Sequence, residues 1–147
     1  MTDRWQAAQA DYHEAIRLSR ETGQRTELAA ALAGLAWFEG RQGKEDECRA
    51  HAAESRELCV ELGIGFYEIW TYAALGELEL GLGRPAAAVE HFEAQEARAR
   101  EIGIDDVDMS PGPELVDAYL RLGRTEDAFA AAERYESRAR AKGQPWA

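Results

Sequence analysis

Residues 72–92 read YAALGELELGLGRPAAAVEHF, and the glycine near their middle, Gly83, decides the fold. Small and apolar residues at helical spacing precede it. A proline follows at Pro85, a residue tolerated in the first turn of a helix, and then comes a second helical run. A glycine between two such runs supplies the left-handed conformation just past a helix end without a Cβ penalty. Gly83 is one rung of a ladder: Gly23, Gly43, Gly63, Gly83, Gly103, Gly123 and Gly143 lie 20 residues apart. The ladder predicts about seven helices of roughly four to five turns, paired into 40-residue units. Helical-hairpin solenoids of this kind bind other molecules more often than they transform them.

Working outward, helices are expected over 3–22, 26–42, 44–62, 66–82, 85–102, 113–122 and 125–142, with Thr26 and Thr125 as caps and prolines opening the fifth and sixth. The first carries Trp5, Ala8, Tyr12, Ala15, Ile16 and Ser19 on one stripe. The chain divides as a single domain, 1–147: a trailing half-repeat (3–23), three helix pairs (26–63, 66–103 and 104–143), and the start of a further helix at 144–147. Because 3–22 begins mid-unit, Met1 is not expected to be a native start.

Registering the units on Gly43, Gly83 and Gly123 aligns Cys48, Ala88 and Ala128 five residues later, and Leu35, Leu75 and Leu115 eight residues before. Small residues at matched sites let helices approach closely. The third unit breaks the pattern. There IDDVDMSPG (104–112) replaces the first half of a front helix, with Pro111 and Pro113 forbidding helix around it. Loops of irregular chemistry carry function more often than helix interiors do.

Composition bounds the function. The net charge is −11 over 147 residues, with 46% hydrophobic residues. That supports a packed core and argues against direct nucleic-acid contact, which needs a concentrated basic face, and against an anionic membrane surface. No apolar run approaches a membrane span, and the first ten residues lack the pattern of a signal peptide. Cys48 and Cys59 are 11 residues apart in one expected helix, about 16 Å along it. They cannot pair without breaking that helix and are read as reduced thiols of a cytoplasmic protein.

Tyr72, Leu75, Gly76, Gly83, Ala88 and Phe92 stand at the offsets of the tetratricopeptide repeat, which the middle unit resembles best. The first unit has Leu35, Ala36, Gly43 and Cys48; the third has Leu115, Tyr119, Gly123 and Ala128. The units depart from the usual pattern in being 40 residues long and in lacking a closing proline. More closely, LGLGRPAAAVEHFE (80–93), DMSPGPELVDAYLRLGR (108–124) and RARAKGQPWA (138–147) resemble the helical-repeat region of large ATP-binding bacterial regulators of the LuxR family, the MalT-like group. The resemblance implies an all-α, right-handed tetratricopeptide-like solenoid of antiparallel helix pairs. It also implies a non-enzymatic sensor or scaffold region that binds a protein, peptide or small effector. The alternative is a stand-alone cytoplasmic adaptor that docks a peptide segment. No G-x-x-x-x-G-K-[ST] phosphate loop is present, so neither ATP binding nor DNA binding is assigned to these residues.

In tetratricopeptide repeats the front helix of each pair lines a concave surface. Carried over position by position, that places Ala30, Ala33, Trp37 and Arg41 there in unit one, Trp70, Ala73, Glu77 and Gly81 in unit two, and Asp117 and Arg121 in unit three. Trp37, Arg41, Trp70, Glu77, Asp117 and Arg121 are the ligand- or partner-binding candidates, because aromatics beside arginine anchor peptides and small polar ligands; ordinary inter-helix packing is the competing reading of both tryptophans.

No catalytic, metal or cofactor set is expected. His51 and His91 share a repeat position and read as partly buried helix histidines, and His13 has no nucleophile in a recognisable arrangement. Asp105, Asp106 and Asp108 lack the spacing of a calcium loop and read as a solvated acidic turn. Cys48 reads as a packing residue beside acids that disfavour a thiolate. Glu77 and Glu79 are a carboxylate pair unavoidable among 28 acidic residues. Apolar surface at the ends of the solenoid, including Trp146, predicts end-to-end association.

Overall fold

Each glycine of the ladder ends a helix. All seven have φ between 68° and 74°, a region L side chains rarely enter. The residue after each of the first six donates its N–H back five residues, as from Gln24 to Ser19 O at 2.9 Å and from Arg84 to Glu79 O at 2.8 Å. This six-to-one bond closes the helix end in the Schellman manner. The turn it makes is so tight that the next helix begins almost at once.

The computed structural model describes residues 2–143, with side chains from residue 4 onward. Residues 144–147, read above as opening a further helix, and Trp146 among them, lie outside the described residues. The helices are α1 (Thr2–Thr22), α2 (Arg25–Arg41), α3 (Glu45–Leu62), α4 (Gly65–Gly81), α5 (Pro85–Glu101), α6 (Gly112–Arg121) and α7 (Thr125–Lys142), with one 3₁₀ turn at Val107–Met109. There is no strand among the described residues. Successive helices pack as neighbours, and α2 also lies against α4, so the molecule is an all-helical repeat solenoid.

The expected threonine caps are corrected. Gln24 and Arg124 occupy the N-cap positions of α2 and α7, and neither makes a side-chain capping bond. The short glycine turns start α2 two residues and α7 one residue earlier than caps at Thr26 and Thr125 would. Leu28 N–H already reaches Gln24 O, and Ala128 N–H reaches Arg124 O, which leaves Thr26 and Thr125 inside the first turn.

The core is a string of three clusters along the solenoid. Ile16, Leu28, Leu32, Leu35 and Leu58 join α1, α2 and α3. Ala36, Cys48, Ala52, Ala74, Leu75 and Leu78 join α2, α3 and α4. Val89, Phe92, Leu115, Ala118, Tyr119 and Ala131 join α5, α6 and α7. Both thiols are buried and unpaired. Burial and the Glu39 charge push the Cys48 thiol up to about 12, so its packing role stands.

One irregularity interrupts the repeat. The loop 104–111 shortens α6 to 10 residues, and α6 packs on α5 and α7 while scarcely meeting α4. Only near the far end does Arg121 reach across to Leu80 O, at 3.2 Å. The loop therefore wedges the third unit away from the second. Its acids hold it to α7: Asp105 pairs with Arg138 at 2.9 Å, and Lys142 pairs with Asp106 and lies 3.6 Å from Asp108.

The last unit ends on exposed apolar side chains. Leu120 and Phe129, 54% and 68% exposed, stand 40 residues after Leu80 and Val89, which pack into the α5–α7 cluster. A helix pair covers those two positions in unit two, and no described helix covers them in unit three. We expect the isolated chain to self-associate through this end and Phe129→Asp to shift it toward monomer. Sedimentation across a wide concentration range checks this, and a wild-type chain that stays monomeric throughout counts against it.

Candidate functional site

The gap opened by the loop is a cleft of about 240 Å³ between α2, α4, α5, the loop and the start of α6. Trp37 and Arg41 reach it from α2, and Trp70, Ala73 and Glu77 reach it from α4. These are helix positions one turn apart or nearly so, which puts each set on one face. Gln95 of α5, the loop residues Asp108, Met109, Ser110 and Pro111, and Glu114 of α6 complete it.

Four of the six expected binding residues thus converge on one site. Trp37 and Trp70 meet edge to face, with centroids 6.4 Å apart and planes at 74°. Trp37 Nε1–H donates to Glu77 Oε1 at 2.8 Å. Arg41 Nε lies 3.2 Å from Glu77 Oε2, and its guanidinium stands 4.7 Å from the Trp37 ring centroid. Packing and site are not exclusive readings of these aromatics: Trp37 is half-buried, and Trp70 stays 37% exposed at the rim.

The other two candidates lie elsewhere. Asp117 and Arg121 pair with each other at 2.8 Å along α6 and line none of the clefts. They sit at the far end of α6, where Arg121 meets Leu80 O of α4, away from the loop that opens the cleft. Ala33, also carried over to the lining, is buried at 1% exposure inside the helix packing. Ala30 lines a neighbouring apolar groove with Tyr12, Phe66, Tyr67 and Trp70. Trp70 borders both depressions.

Glu114 and Gln95 were not singled out from the sequence, although the repeat register carries the signal. Glu114 stands where units one and two have Gly34 and Ala74, and Gln95 stands where unit one has Ser55. Ser55 is satisfied within its own unit, donating to Ala29 O at 2.8 Å. The longer Gln95 instead donates from Nε2 to Met109 O at 3.0 Å and so ties α5 to the loop. Its Oε1 is buried without a hydrogen-bond partner, a costly arrangement for a polar atom.

Burial pushes the Glu114 carboxyl up and the charge of Glu77 adds to it, while a hydrogen bond from its own backbone N–H and the charge of Arg41 act in the other direction. A carboxyl whose folded-state pKa lies above its unfolded value opposes folding once it ionises. Its cost is absent below the unfolded value and grows as pH rises through the folded one. Glu114→Gln should therefore be more stable than wild type at neutral pH, with the gain vanishing toward pH 4. Urea unfolding at several pH values checks this, and an equal or lower neutral-pH stability would count against the strain described here.

A larger cleft of about 880 Å³ lies on the other side of the loop, lined in part by Glu93, Tyr119, Arg134 and Arg138. Two of its polar contacts are internal. Tyr119 O–H donates to Glu93 at 2.7 Å, and Arg138 is held by Asp105. Size favours that cleft. The two tryptophan walls and the buried, unpartnered Gln95 oxygen favour the smaller one, since apolar walls with a few placed polar groups are what a ligand uses. Among the described residues no group of His, Cys, Asp and Glu is arranged to hold a metal ion, and no helix is long and apolar enough to cross a membrane.

Comparison with family models, with characterised proteins and with solved structures gave no match to this chain.

Proposed function

We propose that the chain is a non-enzymatic binding region whose ligand or partner occupies the Trp37–Trp70 cleft beside the 104–112 loop. In this reading it is the sensor region of a LuxR-type transcriptional regulator, working in the cytoplasm with the ATPase and DNA-binding functions supplied by other domains. The observation that supports binding is the cleft itself: two edge-stacked tryptophans, a carboxylate already organised by Trp37 and Arg41, and a buried Gln95 oxygen without a partner. The regulatory role rests on the sequence resemblance described above.

A second reading is favoured by the neighbouring apolar groove. Trp70 borders both depressions, which lie on either side of it, one lined by Tyr12 and Phe66 and the other by the loop. A peptide segment of a partner docked across both is the stand-alone adaptor reading.

Two experiments separate the readings. Tryptophan emission, compared between wild type and a Trp70→Phe variant during ligand and peptide screens, reports occupancy of the cleft. Reading the parent gene about 100 codons beyond position 147 tests the regulator: an in-frame helix-turn-helix supports it, and an early stop codon overturns it in favour of the adaptor.

A further inference from the structure

We propose that the cleft is a cation subsite, taking an alkylammonium or guanidinium group that stacks on Trp70 and pairs with Glu114; the inference rests on the cleft being the binding site. The chain already displays half of this chemistry within itself. Arg41 lays its guanidinium against Trp37 and pairs with Glu77. Trp70, set edge-on to Trp37, is the second aromatic wall of the same cleft, and Glu114 is its second carboxylate. No arginine, lysine or histidine forms an ion pair with Glu114 among the described residues, and Arg41 is committed to Glu77.

The charge balance of the lining points the same way. Glu77 is matched by Arg41, and Asp108 by Lys142 from α7. Glu114, whose own backbone N–H and the Arg41 charge only partly offset its burial, has no ion-pair partner among the described residues, so a positively charged guest relieves what burial penalises. Aromatic faces attract cations through their ring quadrupoles, most strongly for tryptophan. The Gln95 Oε1, buried in the wall without a donor, is an acceptor suited to an N–H guest. The whole chain, at −11, draws cations toward it and repels anions. An anionic effector would face Glu77, Asp108 and Glu114 with Arg41 as the sole cationic residue lining the cleft.

The test is calorimetric titration of the full chain with choline and with agmatine, each against an uncharged probe of similar shape, 3,3-dimethylbutanol for choline. A short Arg- or Lys-containing peptide forms a further arm. The expected result is binding of a cationic probe about tenfold tighter than the neutral one, with Glu114→Gln and Trp70→Leu each removing most of that preference. Because Glu114→Gln is expected to be the more stable protein, its loss of binding is not a loss of folding. Asp117→Asn, an exposed change outside the cleft, should leave affinity unchanged. Tight binding of free choline or agmatine identifies a small-molecule cation; binding of the basic peptide alone identifies a side chain of a partner. Equal affinity for the charged and neutral probes overturns the cation subsite while leaving the cleft as a binding site. Failure of every cationic probe and of the peptide at millimolar concentration overturns the subsite as well. If other ligands then quench Trp70, the broader reading survives it.

Discussion

Phe92→Ala is expected to lower the unfolding free energy by about 3–5 kcal/mol, the usual cost of emptying a buried aromatic site. Phe92 is 1% exposed and sits at the centre of the α5–α7 cluster. Its ring is received by α4, where Gly76 offers no side chain: a Cβ built on Gly76 would stand 2.3 Å from the Phe92 ring. Gly76→Ala is therefore overpacked and should cost about 1–3 kcal/mol on its own, against the general helix preference for alanine. The two changes should not add. With the ring gone, the new methyl has room, so Gly76→Ala made in the Phe92→Ala background should cost far less, or stabilise. Urea unfolding of the four proteins in the cycle measures this. Strict additivity would mean that the close approach at Gly76 is not what fixes the α4–α5 packing. The same device recurs at Gly34, where an added Cβ would stand 2.4 Å from the Tyr12 ring, and at Gly112, 2.5 Å from the Tyr135 ring, so the solenoid uses a glycine notch and an aromatic knob at three of its helix contacts.

The solenoid was legible because it is written locally. A left-handed residue every 20 positions needs no tertiary information to interpret, and Gly76 with Phe92 could be paired from their spacing. The caps were misjudged because Thr26 and Thr125 are good capping residues in general, while the Schellman turn fixes the helix start from the other side. The site was half legible. Trp37, Arg41, Trp70 and Glu77 lie on regular helices whose faces follow from the period. Asp117 and Arg121 have the same register, but their helix is displaced by a loop whose path depends on long-range contacts: Gln95 to Met109 O, Asp105 to Arg138, and the aspartates to Lys142. Glu114 faces the cleft only because of that displacement.

The loop also links stability to the site. Gln95, the residue that ties the loop to α5, is the one with an unsatisfied buried oxygen, and Glu114 is held where ionisation is disfavoured. Elsewhere the described buried side chains are satisfied. Concentration of local cost around one cleft is the pattern of a surface shaped for binding, since residues chosen for a ligand are rarely those that best stabilise the free protein.

His51→Ala is expected to cost about 2–4 kcal/mol, because it strips the partner from a buried carboxylate. Glu39 is 2% exposed, and His51 Nδ1 lies 2.7 Å from its Oε2. Among the described residues no arginine or lysine forms an ion pair with Glu39. Forty residues on, Glu79 is also buried, at 3% exposure, yet it is matched differently. Arg49 of α3 pairs with it directly, and Arg84 Nη1 lies 3.5 Å from its Oε2. His91, the counterpart of His51, forms no ion pair among the described residues, and burial pushes its ring down. His91→Ala should accordingly cost no more than about 1 kcal/mol, as a substitution that breaks no buried pair. In unit three the acid is replaced by Tyr119, whose hydroxyl donates to Glu93. Three equivalent positions thus carry three solutions to one burial problem, and only the first depends on a histidine. Thermal or urea unfolding of His51→Ala and His91→Ala decides it. Similar losses for the two variants would show that the Glu39 carboxylate finds another partner, or water, once His51 is gone. A large difference would show that a shared repeat position holds a structural histidine in one unit and a dispensable one in the next.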